Sequence, residues 1–389
     1  MTSAYQKLKL TDAIARNTND FPAIPSISKD GKKAFLMYQI TESSTTNILA
    51  EIFKIKNGTL VSKTVLNPDI IQSENPFSGD DGHANNSFTR FCVIDDDQGG
   101  PSAGSTGKIR VRIFDQKFNL LASRFDIEFA VGIPQLTFPV VGGNFSDDDR
   151  YIELTYMIDS TPNAQRFRLH VLNASDLSDV ARVDFNGSTF GAKFIHLRHR
   201  TYLTLPIQNG TFQFGFNTAI GATEANLSVY RLKKNYLQFV DSHRSAQIIN
   251  SIYVGSNMIG ASSRRAIRDK SIFVDDSQNQ NLNRSGKELQ LFSFDGCELE
   301  LSTSEKINLS TSGPVFAEDK NLVLVNQQLS DGNPSFFNLY RIHDCEMEWI
   351  DGPYGAPSYP TFCFSRKWLI AAGTNQDKDV YNINLYRVH

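Results

Sequence analysis

Pro25-Ser26-Ile27-Ser28-Lys29-Asp30-Gly31-Lys32-Lys33-Ala34-Phe35-Leu36 reads as a tight polar turn set between two short apolar segments. Ser, Asp and Gly stand where a hairpin needs side chains that bond their own backbone or accept left-handed angles. The pattern returns, with losses, at Asn144-Phe145-Ser146-Asp147-Asp148-Asp149-Arg150-Tyr151-Ile152, at Pro314-Val315-Phe316-Ala317-Glu318-Asp319-Lys320-Asn321-Leu322 and at Pro360-Thr361-Phe362-Cys363-Phe364-Ser365-Arg366-Lys367-Trp368. A hairpin that recurs along one chain signals a repeat architecture.

A second recurring feature lies further along each unit. Alternating strand-like segments occupy residues 51–55, 110–114, 169–172, 228–232, 290–294, 338–342 and 384–388, and their ends are 46 to 62 residues apart. That is the period of a four-stranded propeller blade with variable loops. Six of the seven are followed by a polar turn, as in Lys56-Asn57-Gly58, Asp115-Gln116-Lys117 and Asp295-Gly296-Cys297. Two hairpins per unit predict seven four-stranded antiparallel blades, at approximately 22–66, 75–125, 138–183, 185–242, 245–304, 311–352 and 357–389. The last unit reaches His389 straight after its third strand, which would leave an open edge that invites aggregation. Lys7-Leu8-Lys9-Leu10 is a lone alternating segment, so residues 5–12 are expected to supply the missing fourth strand. The expectation is an all-β chain forming a single seven-bladed β-propeller domain over residues 1–389.

The hairpin at Pro25 to Lys33 and its degenerate copies resemble the WD40-like repeat of TolB-type propellers. The resemblance is carried by four of the seven units, and the Gly-His and Trp-Asp dipeptides of true WD40 repeats are missing. It implies a propeller fold and no single activity, because that repeat occurs in envelope translocation proteins, in the gating domains of oligopeptidases and in free-standing enzymes and binders.

Composition agrees with a strand-rich core: 40% of residues are hydrophobic, and 28 Phe and 13 Tyr stand beside 14 Pro. A net charge of −3 without a long run of one sign excludes the electrostatic footprint of a nucleic-acid binder. No stretch of about 18 apolar residues is present, so no membrane span is expected. Met1 to Leu10 lack the basic and apolar regions of a secretory signal, while nine N-x-Ser/Thr sequons would matter on an export route; the compartment stays open. Cys92, Cys297, Cys345 and Cys363 show no paired spacing and are expected as free buried thiols, with neither a metal nor another cofactor.

Function is sought on the face where the longer loops emerge, since long loops on a rigid scaffold carry most sites. Phe212, Phe214 and Phe216 alternate as a strand does and are read in two ways, as lining an apolar ligand site near the channel mouth or as a hairpin that caps the neighbouring blade. An insertion with Arg264, Arg265 and Arg268 concentrates positive charge and suits a carboxylate or phosphate. His243, followed by Arg244, is placed in an inter-blade loop opening onto the channel and is the chosen candidate for general acid/base work. Tyr354 is placed in the loop leading into the last unit. Gly100-Pro101-Ser102-Ala103-Gly104 matches a hydrolase elbow only in letters, because an acidic run precedes it where an apolar strand is required. Two readings follow: a propeller that binds a small organic molecule or peptide at the channel mouth, or a cofactor-independent lyase, isomerase or cyclase acting in the same channel.

Overall fold

Runs of adjacent apolar residues such as 34–37, 91–94 and 369–372 do not suit a strand with one wet face; they require sheets covered on both sides. The computed structural model describes residues 8–17, 25–28, 30–42, 45–65, 72–73, 81–97, 106–130, 141–146, 148–159, 166–186, 194–196, 201–204, 211–212, 219–220, 225–233, 236–245, 251–253, 271–276, 287–294, 299–307, 315–317, 322–327, 336–343, 346–365, 367–374 and 380–389. Every described element is a strand. Sheet I joins Ser26–Ile27, Lys33–Glu42, Thr45–Lys56 and Thr59–Val65, with Gln72–Ser73 paired to the start of the third strand. Sheet II joins Asp81–Ala84, Arg90–Asp97, Thr106–Asp115 and Leu120–Ala130; sheet III joins Val141–Phe145, Tyr151–Asp159, Arg166–Asn173 and Asp179–Asn186. Sheet IV joins Phe194–His196, Thr201–Thr204, Ala225–Lys233 and Tyr236–Ser245; sheet V joins Ser251–Tyr253, Ser271–Asp276, Lys287–Phe294 and Leu299–Ile307. Sheet VI joins Val315–Ala317, Leu322–Gln327, Phe336–His343 and Glu346–Gly355. Sheet VII joins Ser358–Phe364, Trp368–Thr374 and Val380–Val388 to Leu8–Asn17 from the other end of the chain. All seven alternating segments read from the sequence fall in third strands.

The hydrophobic core is divided into layers, each shared by two successive sheets. In sheet I, Ala34 and Leu36 pack on Ile370, Ala372 and Ile383 of sheet VII, while Phe35 and Met37 turn the other way onto Phe91, Val93 and Phe114 of sheet II. Ile94, Ile109 and Val111 of sheet II meet Phe145, Ile152 and Leu154 of sheet III. The two-residue period of a strand thus sends neighbouring apolar side chains into different layers. First strands touch first strands between sheets I and VII, II and III, and VI and VII. Fourth strands touch fourth strands between VII and I, III and IV, and IV and V.

One capping device recurs in the first hairpins. Ser28 Oγ accepts the Lys33 N–H at 2.9 Å, Ser146 Oγ accepts the Tyr151 N–H at 2.9 Å, and Asn85 Oδ1 accepts those of Thr89 and Arg90 at 2.8 and 2.9 Å. Three residues after each cap the backbone is left-handed, at Gly31, Asp149 and Phe88, with φ of 67°, 60° and 56°. Only the first of these is glycine, which accounts for the degenerate copies. A non-glycine residue there costs about 1 kcal/mol, offset where its side chain finds a place. Phe88 is buried among Phe35, Phe91 and Phe118, and the Asp149 carboxylate accepts the Asn86 and Ser87 N–H groups of the neighbouring turn at 2.7 and 2.9 Å.

The N-terminal strand is longer than the sequence suggests, ten residues antiparallel to the last strand, with Leu8 opposite Val388 and a bulge between Leu10 and Asp12. Leu8 is wholly buried, and its N–H donates to the Tyr354 hydroxyl at 3.2 Å. Asp12 Oδ2 accepts the Leu60 N–H at 2.7 Å, and the Arg16 guanidinium donates to both oxygens of Glu51 at 3.1 and 2.9 Å. The strand therefore ties sheet VII to sheet I as well as completing its own sheet. Leu8→Ala should lower unfolding free energy by about 3 kcal/mol in urea titration, the cost of an emptied core site. Ser26, 1% exposed, has a hydroxyl with no hydrogen-bond partner, so Ser26→Ala should raise stability by about 1 kcal/mol in the same assay.

Candidate functional site

Antiparallel pairing sorts the connections by end. Turns from first to second and from third to fourth strands leave one end of each sheet, and outside sheet V they are two to five residues long. Connections from second to third strands leave the opposite end and reach 20 residues, at 205–224 in sheet IV. Within that connection Thr211–Phe212 pairs with Ala219–Ile220 as a two-stranded ribbon. Phe212 is thus in the strand conformation expected for it, while Phe214 and Phe216 lie outside the described residues.

Two expectations change. His243 and Arg244 do not lie in a loop; they belong to the fourth strand of sheet IV, opposite Leu227 and Asn226. Three strand spacings, about 14 Å, separate that strand from the first strand of the sheet, so His243 is on the outer edge of its sheet. Arg264, Arg265 and Arg268 lie outside the described residues, within 254–270, which joins the first strand of sheet V to the second. Ser271–Asp276, which follows that connection, is the second strand of sheet V. The strands that flank residues 254–270 end at the short-turn end of sheet V, and those that flank residues 205–224 end at the other end of sheet IV.

Tyr354 is likewise a strand residue, not a loop residue. It is 7% exposed, stacked on Phe337 with centroids 5.3 Å apart and hydrogen-bonded to Leu8 and Asp351. It forms part of the joint between the chain ends. Cys92 and Cys363 are buried and form no disulfide among the described residues; Cys297 and Cys345 lie outside the described residues. Among the described residues no cluster of three or more His, Cys, Asp or Glu could hold a metal ion, and no helix is long and apolar enough to cross a membrane.

The densest group of titratable side chains in the described residues lies between sheets II and III. Arg168 and His170 project from one face of the third strand of sheet III, two residues apart, beside Tyr156 of the second strand. His170 is 1% exposed; its Nδ1 is 3.1 Å from the Tyr156 hydroxyl and its Nε2 is 2.7 Å from Asp179 Oδ1. Nε2 is addressed by two partners, the Asp179 carboxylate, which a hydrogen on that nitrogen would serve, and the Arg182 Nε–H, which donates toward it at 3.1 Å; Nδ1 and the Tyr156 hydroxyl share the bond on the other side of the ring. Arg124, from the fourth strand of sheet II, donates to Asp179 at 2.6 Å and to the Leu177 carbonyl at 2.9 Å. Arg182 also pairs with Asp179, and Arg168 holds Asp184 through two bonds at 2.6 and 2.9 Å. Burial, reinforced by Arg182 and Arg124, outweighs the Asp179 bond and holds the His170 pKa down to about 4. Burial would raise Asp179, but bonds from Arg124 and His170 overcome it and hold its pKa down to about 2. Tyr156 and His170 are buried while Asp179 and Arg182 reach the surface, and the chain of bonds ties the two sheets together. The sequence reading passed over His170; the alternation of Arg166, Arg168 and His170 against Phe167, Leu169 and Val171 was the available signal.

No protein-family model and no curated protein matches the chain. Solved structures do. The acylaminoacyl peptidase of Pyrococcus horikoshii superimposes with a TM-score of 0.54 at 9% identity over 92% of this chain and 50% of the other, so this chain spans half the length of that enzyme. The β-propeller domain of the Trilobed protease from Pyrococcus furiosus gives 0.51 at 10% identity over 91% and 92% of the two chains. That domain is described as having an open velcro topology, whereas here the chain ends are hydrogen-bonded. TolB from Acinetobacter baumannii is also similar, with a TM-score of 0.40 at 8% identity over 92% of this chain and 80% of the other. The propeller resemblance read from the sequence is met by the β-propeller domain of the Trilobed protease, and at this identity the likeness concerns the fold alone.

Asp179→Asn should cost about 1 kcal/mol at neutral pH, the modest value of a half-exposed carboxylate that several donors share. The wild-type contribution is present above the ordinary carboxylate pKa of 3.8 and is lost as pH falls through about 2. Urea midpoints from pH 5 to 2 should therefore fall less steeply in the variant.

Proposed function

We propose that residues 1–389 form one seven-bladed β-propeller that binds a small organic molecule or peptide where the long connections emerge, around the mouth of a central channel. The blade count is supported by seven antiparallel sheets, with first strands meeting first strands at three of the junctions and fourth strands meeting fourth strands at three, as a radial arrangement demands. The binding reading rests on one observation, the unequal connection lengths at the two ends of the sheets. Outside sheet V the turns at one end have two to five residues, too short to build a pocket, whereas the second-to-third connections of sheets II to VI, six to 20 residues long, are long enough.

In this reading Phe212, Phe214 and Phe216 form the apolar wall, and His243 with Arg244 stands on the outer rim at the same end of sheet IV. Arg264, Arg265 and Arg268, at the opposite end, do not share the ligand. A cofactor-independent reaction would need a proton-transferring group at the ligand, and His243 on the rim is poorly placed for one.

The test is thermal-shift screening of the whole chain against a panel of small organic acids, apolar metabolites and peptides, followed by calorimetry on any hit. Replacing Phe212, Phe214 and Phe216 together by Ser should weaken a hit at least tenfold, while replacing Arg264, Arg265 and Arg268 by Gln should leave it within twofold, the loss of an aromatic wall being worth more than about 1.4 kcal/mol. Loss in the arginine variant alone would overturn the choice of face.

A further inference from the structure

The His170 cluster has a property that ligand binding does not use. Asp179 is shared by partners from two sheets: Arg124 from the fourth strand of sheet II, His170 and Arg182 from sheet III. The facing charges are Arg124 and Asp126 on sheet II, with Arg166, Arg168, Arg182, Asp179 and Asp184 on sheet III, beside the Tyr156 hydroxyl. Four guanidinium groups thus face three carboxylates, and a neutral imidazole sits among them. Protonating the ring would put a hydrogen on both nitrogens, setting Nε2–H against the Arg182 Nε–H 3.1 Å away, and bury a fifth positive charge where burial already opposes it.

We propose that the joint between sheets II and III is an acid-sensitive seam, kept shut while His170 is neutral and opened locally when the ring takes up a proton. The moving part is the hairpin formed by the third and fourth strands of sheet III. Its turn is held to sheet II by Arg124, through the Leu177 carbonyl and Asp179, and Arg90 of sheet II donates to the Ala174 carbonyl at 3.2 Å. Opening exposes Ala174 and Leu177, both wholly buried in the shared layer. The sign follows from linkage: His170 binds its proton below about 4 when shut and near 6.5 when open. The stability of the shut seam is therefore full above 6.5 and falls as pH drops toward 4.

Hydrogen–deuterium exchange of the full chain, corrected for the intrinsic effect of pH, reads this directly. Between pH 7 and pH 5, protection in segments 120–130 and 173–182 should fall, by at most roughly twentyfold from linkage, while segment 368–388 of sheet VII changes little. His170→Gln keeps a neutral donor for Asp179 and should abolish the difference. The imidazole resonance of His170 in the wild type supplies an independent reading, titrating below pH 5. A pH response in the glutamine variant equal to that of wild type, or a folded-state imidazole titrating at or above 6.5, would overturn the proposal.

Discussion

The fourth strand of the last sheet comes from the first residues of the chain, and this pairing is the constraint that the rest of the architecture answers to. Nine register pairs from Leu8 with Val388 to Asn17 with Val380 give sheet VII the same four strands as its neighbours. Asp12 and Arg16 then reach beyond that sheet to Leu60 and Glu51 of sheet I. A single strand thus satisfies one edge by backbone bonding and secures a neighbouring sheet by side chains. Tyr354 and Tyr386, whose hydroxyl donates to the Gly355 carbonyl at 3.1 Å, bring sheet VI into the same joint.

Between successive sheets the interior is organised as thin apolar layers, and at the short-turn end these are bordered by polar contacts from turn to turn. Lys33 donates to Gln116, Gln116 to the Phe88 carbonyl, and Asp149 accepts from Asn86 and Ser87. Every non-glycine residue with positive φ among the described residues lies in such a turn: Asn57, Phe88, Phe118, Asp149 and Leu177. Three of these, Phe88, Phe118 and Leu177, insert an apolar side chain between sheets, so the local backbone cost is offset by burial. The end with short turns is therefore bound together by its own hairpins, which leaves the longer connections at the other end free to vary.

Much of the fold was legible because strand alternation and turn chemistry are local. Segments 51–55 and 384–388 could be assigned to third strands without knowledge of any partner, and a lone N-terminal strand beside a three-stranded last unit had one obvious place to go. The copy at Asn85 was missed because Asn replaces Ser as the cap and Phe88 fills the position that Gly31 takes in the first unit. The site was far less legible. A short strand, Ser271–Asp276, sits inside what reads as one insertion, and counting it or not moves Arg264 from one end of its sheet to the other. His243 was misjudged by the extent of a strand, which no local pattern in Asp241-Ser242-His243-Arg244 announces. His170 looks ordinary in sequence because its setting is made by Arg124, a residue of another sheet.

The bond from Thr11 to the Leu385 carbonyl spans 374 residues. Loop closure over such a distance cannot nucleate the fold, and during synthesis Val380–Val388, the partner of Leu8–Asn17, is made only after sheets I to VI. Sheets I to VI can assemble in order as they leave the ribosome, while Leu8–Asn17 waits with its backbone groups unpaired. The waiting strand carries Lys9, Asp12 and Arg16 among its apolar residues, a charge pattern that discourages premature pairing with other chains. Translation pace over the final sheet, more than the stability of any earlier one, then governs how long that strand stays exposed to misassembly.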